Sequence, residues 1–396
     1  MTGVRDVVVA GGGPGGCAAA LALRAHAPGL SVALIEASTY EETRVGETLA
    51  PPAADLLQHL GVWDAFQAQG HHAGYGTAAA WDSAVPHENE FLFHVRQVGW
   101  HLDRAAFDGM LAAQAAARGV EVIRGTRVLN AAREADEWRL SLSSGAEVRA
   151  RLLVDATGAG ASLARRHGRA RHRAHDRLAG FVRFFRQPTG GGAPHTLVEA
   201  FEHGWWYTAP LPDGRRVAAC MTDTDIAREL GLESDTVWTE LLGRTAPATS
   251  SALAGAVQEG APVVRAARTR RLVPAAGDGW LAVGDAASTF DPLSSQGMLK
   301  ALRSGIFGAY AVGDLLAKGD EAGIRRYRRF VDGEFQGYLR SRAKYYADER
   351  RWPESEFWRR RHASAPEPEP VGIGVSSGAA AKDFDEDWAR SGWLPS

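Results

Sequence analysis

Lysine is nearly missing from this chain of 396 residues: Lys300, Lys318, Lys344 and Lys382 are the only four, and arginine carries the rest of the positive charge. Chemistry that needs a lysine amine anywhere before residue 300 is excluded. Cysteine is scarcer still. Cys17 and Cys220 are too few for a disulfide framework or a zinc site, so both read as packing residues and no metal is expected. No stretch reaches the roughly eighteen unbroken apolar residues of a membrane span, and the N-terminus enters a strand at once, leaving no room for a signal peptide. A cytoplasmic location without membrane contact is the expectation. A formal charge of -2 offers no general attraction to nucleic acid. What is present, with 45% hydrophobic residues, is enough for a large core and for two domains on one polypeptide.

The most informative stretch runs from Arg5 to Glu36. Asp6–Ala10 is a Val-rich strand, and Gly11, Gly13 and Gly16 follow at G-x-G-x-x-G spacing with Pro14 and Gly15 among them. The first glycine permits the tight turn, the second lets backbone approach a pyrophosphate, and the third lets helix pack on strand. Cys17–Ala27 continues as a helix whose N-terminal dipole faces the phosphates. The strand Ser31–Ile35 then ends at Glu36 and Ala37, where a carboxylate can accept from the adenosine ribose. A dinucleotide site is expected here.

Further along, Arg44-Val45-Gly46-Glu47-Thr48 reads either as a loop capping the helix that follows or as a loop over the middle of a flavin, oriented by Arg44 and Glu47. Glu90–Val95 looks like a strand. Asp103 N-caps a helix with Phe107, Met110, Leu111 and Ala115 on its buried side, and Arg104 in its first turn opposes the dipole, which hints at an anionic partner. Strands are expected at Val120–Ile123, Trp138–Leu142, Glu147–Ala150 and Arg151–Asp155, the last breaking at Ala156-Thr157-Gly158. The Arg- and His-rich run Arg165–Arg177 reads as a solvated face, with an anion site as its rival. Phe181–Phe185, Thr196–Phe201, Trp205–Ala209 and Arg216–Met221, separated by turns at Pro188–Pro194 and Pro212–Gly214, read as one antiparallel sheet. A helical stretch Ile226–Leu253 and a strand Val263–Leu272 follow. Trp280–Val283 then enters Gly284-Asp285, whose carboxylate suits ribitol hydroxyls. The loop Asp291-Pro292-Leu293-Ser294-Ser295-Gln296-Gly297 opens a helix at Met298, whose N-terminus would favour negative charge on a reduced isoalloxazine. Glu321–Trp352 reads as a covering helix, and the chain after Ser364 as a mobile tail.

From Gly11 to about Ala363 these motifs, taken in order, resemble the glutathione-reductase-type flavoproteins of the aromatic hydroxylase and tryptophan-halogenase-like superfamily. Gly204–Pro210, Thr222–Asp225 and Tyr345–Trp358 most resemble the halogenase-like flavoproteins that mature quinone-cofactor enzymes, such as those for lysine oxidase and quinohemoprotein amine dehydrogenase. The resemblance implies an α/β fold with an FAD-binding Rossmann domain (1–75, 98–180 and 262–320), a second, antiparallel-sheet substrate domain (76–97 and 181–261), a helical cover (321–363) and a flexible tail (364–396). It implies that FAD is held at Gly11, Gly13, Pro14, Gly15, Gly16, Glu36, Ala37, Arg44, Glu47, Thr48, Arg104, Asp155 and Gly158, and at Gly284, Asp285, Pro292, Gln296, Gly297 and Met298.

Flavin halogenases of this kind use a lysine after the G-E-T motif, which this chain lacks; their G-W-x-W-x-I-P becomes Gly204-Trp205-Trp206-Tyr207-Thr208-Ala209-Pro210, and Ser294 replaces an acid. The expected activity is therefore a monooxygenase hydroxylating an aromatic ring, of indole or tryptophan type and either free or peptide-borne, through a flavin C4a-hydroperoxide formed with O2. NAD(P)H would supply electrons directly or through a separate flavin reductase. Trp205, Trp206 and Phe201 would form a dry aromatic wall, with Trp81 opposite, and His71, His72 or His203 are candidate bases. The rivals are a halogenase, an FAD-dependent reductase of the isoprenoid-saturating type, and an FAD-binding maturation scaffold without turnover.

Overall fold

The apolar run before the glycines becomes the central strand, Val4–Ala10, of a parallel sheet. Glu147–Asp155 and Trp280–Ala282 lie on one side of it, and Val32–Ile35 and Glu121–Ile123 on the other. The structure, a computed structural model, describes residues 3–90, 98–188 and 195–363. Buried on both faces, these strands read as unbroken Val, Leu and Ile runs rather than alternating ones. Glu147–Asp155 is a single nine-residue strand, not two. Its first half pairs antiparallel with Glu137–Leu142 and residues 149–155 run parallel to the first strand, so one strand serves both the meander and the sheet.

Among the described residues the second sheet has seven strands. Leu178–Arg186, Arg215–Asp223, Gly204–Pro210 and Thr196–Phe201 are antiparallel neighbours, as expected, and Val257–Ala266 joins them as a fifth beside Leu178–Arg186. Thr196–Phe201 then pairs in parallel with Gly76–Ala80, so the sheet is mixed at that edge; His87–Glu90 completes it. Residues 91–95 of the expected strand Glu90–Val95, residues 189–194 of the Pro-rich turn, and the tail from Ser364 lie outside the described residues. The expected helical stretch Ile226–Leu253 is three helices, Thr224–Leu230, Asp235–Thr245 and Pro247–Ala252, broken where Gly231 adopts φ +73° and where Pro247 removes a donor. The expected strand Val263–Leu272 is likewise divided: Val257–Ala266 stays in the large sheet, while Arg270–Val273 pairs with Arg171–Ala174 in a small one.

The helix Gly297–Lys318 lies against the first helix, Pro14–His26, through small residues. A Cβ at Gly305 would fall 2.3 Å from the Gly15 carbonyl oxygen, and one at Gly15 would fall 3.0 Å from Gly284 Cα. These close approaches bring the two glycine motifs, 270 residues apart, to one place. The helix Ala322–Asp348 covers them, its Tyr327 hydroxyl donating to Ala282 O at 2.6 Å. Among the described residues no helix is long and apolar enough to cross a membrane, and no cluster of metal-ligating side chains occurs.

Candidate functional site

The glycines of the first turn do the jobs their spacing implies. Gly11 has φ +111°, and a side chain there would strike Ala156 O at 2.1 Å; one at Gly16 would strike Gly11 O at 2.0 Å. Above Gly13 lies open space, and the helix that begins at Pro14 has neither a side-chain cap nor an acid in its first turn. Gly158 and Gly297 open onto space as well, and the helix Gly297–Lys318 also starts uncapped, with Met298 buried just inside it. Two helix N-termini with unsatisfied N–H groups and three open glycine positions suit a phosphate-bearing dinucleotide, so the residues present fit FAD.

Around this cradle the expected carboxylates divide into two kinds. Glu36 accepts from Gly12 N at 2.6 Å and from Ser38 N at 3.0 Å, with Arg44 at 3.2 Å. Burial pushes its carboxyl up, but hydrogen bonds from Ser38 and Gly12 and the Arg44 charge outweigh this and hold it below the usual range. Ala37 beside it is exposed. Arg44 continues to Asp108 at 2.7 Å, and Arg104 reaches the same carboxylate at 3.1 Å and the carbonyls of Val45 and Gly46. The anionic partner expected for Arg104 is thus Asp108, one turn away on its own helix. Asp155 is fully buried and accepts from Thr157 N, Thr157 Oγ1, Leu163 N and Ala164 N, so its carboxylate is used in holding the Gly158 loop and capping the next helix. Asp285 is different. Its side chain is half exposed, and one oxygen is held at 2.6 Å by the ammonium of the buried Lys300.

Beyond the cradle, strand periodicity decides what faces the loops. Trp205, Tyr207 and Ala209 point one way from their strand, and Trp206 and Thr208 the other. Trp206 therefore packs with Phe201 and Trp238 under the helix Asp235–Thr245, its N–H donated to Thr245 Oγ1 at 3.0 Å. It cannot share a wall with Trp205, and Phe201 goes with it. The face that remains gathers Trp205, Val182, Tyr346, Phe357 and Trp358, and packed against them are Tyr207, Trp81, Val198, and one residue from each flavin-type loop, Val45 and Leu293. This is a buried aromatic cluster, and Trp81 packs against it.

Two hydrogen-bonded chains tie the cluster to those loops. Trp205 donates to the Tyr346 hydroxyl at 3.1 Å, which donates to Asp291 at 2.7 Å; Asp291 in turn caps the Pro292 turn through Leu293 N at 3.0 Å. Burial pushes the Asp291 carboxyl up, and Arg342 beside it only partly offsets this. The Tyr207 hydroxyl lies 2.9 Å from Thr48 Oγ1 and donates to the buried Glu47, whose other oxygen accepts from Gly46 N at 2.9 Å. Burial and the Glu47 charge raise the Tyr207 phenol well above its ordinary value.

Of the candidate bases, His71 has Nε2 on Gln69 at 2.9 Å and Nδ1 3.3 Å from Asp103 N, so both nitrogens are occupied at a helix start. His203 stands at a hairpin tip beside Glu202, and His72 is exposed. Sequence reading missed His101, fully buried in the three-residue strand Gly99–His101, and Arg216, which is 1% exposed and drawn down to about 10 by burial. Neither belongs to a motif. The run Arg165–Arg177 provides the end of the helix Ser162–His167, the strand Arg171–Ala174 and then His175, Asp176 and Arg177, which border a polar cavity of about 240 Å³ with Arg342 and Arg361. Arg342 is paired with Asp176 and Arg361 with Asp223.

A Rossmann cradle built for a dinucleotide, an aromatic cluster on a second sheet and a helical cover define a flavoenzyme of the glutathione-reductase type. The tryptophan halogenase family profile matches residues 6–73 and 75–394, and the chain belongs to that family. It is 31% identical over 368 residues to the FAD-dependent oxidoreductase LodB of Marinomonas mediterranea, covering 90% of this chain and 97% of that one. The fold is similar to that of the flavin-dependent halogenase CmlS, with a TM-score of 0.80, 25% identity and 98% and 71% of the two chains covered. It is also similar to that of QhpG, a peptidyl tryptophan dihydroxylase of tryptophylquinone biogenesis, with a TM-score of 0.70, 25% identity and 95% and 82% covered.

Proposed function

We propose that this protein is an FAD-dependent monooxygenase that hydroxylates an aromatic ring of indole type carried on a peptide. The observation that carries the reading is the composition of the aromatic cluster. It is apolar and aromatic, and of the lysines among the described residues Lys300 is spent on Asp285, Lys318 on Asp314, and Lys344 is exposed. Among the described residues no lysine amine packs against the aromatic cluster. LodB and QhpG, both similar across most of the chain, support an oxidoreductase of this branch.

In this reading the Rossmann part, 1–75, 98–180 and 262–320, holds FAD, and the second part, 76–97 and 181–261, holds the substrate under the cover 321–363. Glu36 and Asp285 hydrogen-bond the ribose and ribitol, the uncapped N-termini at Pro14 and Gly297 face the pyrophosphate and the isoalloxazine, and Arg44, Glu47 and Arg104 fix the loop between them. Bound FAD would supply two-electron chemistry with O2, with electrons from NAD(P)H either directly or through a flavin reductase. The chain's own residues exclude water at Trp205, Trp81 and Leu293, and they orient the ring.

The test is incubation of the FAD-loaded protein with NADH, a general flavin reductase and tryptophan-containing peptides in air, with and without bromide. Mass spectrometry should show the gain of one or two oxygen atoms, independent of bromide. The second reading, halogenation, is favoured by the likeness to CmlS; a bromine-bearing product would establish it and end the first.

A further inference from the structure

In the small sheet formed by Thr48–Leu49, Gly99–His101 and His72–Gly74, Thr48 faces His101 and His101 faces His72. Directly opposed residues of antiparallel strands share a face. Leu49, Trp100 and Ala73 take the other face, where Trp100 meets Trp63 and Phe66 edge-on. The row Thr48, His101, His72 therefore turns toward the second sheet, where Thr48 reaches Tyr207.

His101 is 2% exposed, and neither of its ring nitrogens has a hydrogen-bond partner among the described residues. That is a costly state for a native side chain, and it needs a partner from outside the chain. Burial and the charges of Arg216, His72 and His195 draw the imidazolium down to about 4, so the ring is neutral at working pH. One nitrogen then accepts and the other donates. The Glu47 carboxylate accepts from Tyr207 and Gly46 N and makes no bond to His101.

We infer that His101 is the substrate-recognition residue, accepting a hydrogen bond from the N–H or O–H of an aromatic ring and donating one to an amide carbonyl beside that ring. The two nitrogens point away from each other, so one small group cannot satisfy both; a ring donor plus a neighbouring carbonyl can. The inference deepens the proposed function by naming what selects its substrate.

Binding separates the two claims. Calorimetric titration of the oxidised, FAD-loaded protein would compare N-acetyltryptophanamide, its ring N-methyl derivative, and 3-methylindole, which lacks the carbonyl. Loss of one or both buried hydrogen bonds is expected to weaken binding about tenfold or more relative to the full amide. His101→Phe, which keeps a ring but no polar atoms, should bring the three ligands to within about threefold of one another, and His101→Asn, which restores a donor and an acceptor, should recover part of the preference. On isotope-labelled wild-type protein, the His101 imidazole nitrogen resonances should move when the amide binds. Equal affinity of the wild type for all three ligands, absence of any binding, discrimination unchanged in His101→Phe, or unmoved His101 resonances would each overturn the inference. Oxygenation of peptides that survives His101→Phe with unchanged selectivity sinks this inference alone. His101-dependent binding without any oxygenated product sinks the monooxygenase reading alone.

Discussion

Asp285 and Lys300 meet at 2.6 Å with opposite exposures, the carboxylate half open and the ammonium 1% exposed. Removing the acid leaves a buried cation with Ser288 O and the face of the Phe290 ring as its remaining partners among the described residues, so Asp285→Ala should lose stability as well as flavin. About 1–3 kcal/mol is expected rather than the full cost of a broken buried pair, because Asp285 itself is screened by water. Visible absorbance of the purified variant should show little bound flavin and thermal unfolding a lower midpoint; full flavin occupancy would remove Asp285 from the site. The two adjacent tryptophans make a sharper contrast. Trp206→Ala should cost roughly 3–5 kcal/mol through its cavity under the helix Asp235–Thr245 and leave ligand affinity per folded molecule unchanged. Trp205→Phe should cost less, since it keeps a ring in the core, yet alter ligand binding, since it cuts the chain through Tyr346 to the Asp291 loop. Denaturant unfolding paired with ligand titration distinguishes them, and equal effects on binding would contradict the two-faced strand.

At the scale of elements, the seam between Pro14–His26 and Gly297–Lys318 positions the site. Gly305 allows it: an added methyl would meet Gly15 O at 2.3 Å and Ala18 Cβ at 2.8 Å, both on the facing helix. Gly305→Ala should force the helices apart, cost about 1–3 kcal/mol, and weaken flavin binding by displacing the uncapped N-termini from each other. A variant with unchanged flavin affinity and unfolding midpoint would show that the seam has slack. The same scale explains which elements the sequence concealed. Asp103 as a cap was readable because capping is local, and its carboxylate does accept from Ala106 N at 3.0 Å. The mixed edge, where Gly76–Ala80 joins Thr196–Phe201 in parallel, was not readable, because pairing across more than a hundred residues leaves no local pattern.

At the scale of the whole molecule, two buried groups pull the pH dependence of stability in opposite directions. Glu334 is buried and its carboxyl is pushed up to about 7 by desolvation, with Arg303 and Lys300 lowering it only in part. Its folded form prefers the proton, so its contribution is fully present below the ordinary carboxylate range and is lost as pH rises toward and through 7, about 3 kcal/mol in all. His101 does the reverse: drawn down to about 4, it contributes fully above 6.5 and loses that contribution as pH falls toward 4. Glu334→Gln should therefore make stability rise more steeply with pH between about 4.5 and 6.5 than in the parent, and His101→Gln should make it fall. Denaturant melts at pH 5 and pH 7 check the two slopes, and parallel slopes in all three proteins would refute both assignments. The dinucleotide turn, the Gly-Asp and Pro-Leu-Ser loops and the identity of the class were determined by the amino-acid sequence by itself, because a phosphate cradle is made of contiguous backbone and its glycines leave a local signature. The tertiary structure alone decided that Trp205 and Trp206 serve different cores and that His101 faces Thr48 and His72. Those facts depend on which strand lies beside which and on which face each residue takes, and residues far apart in the chain settle that together.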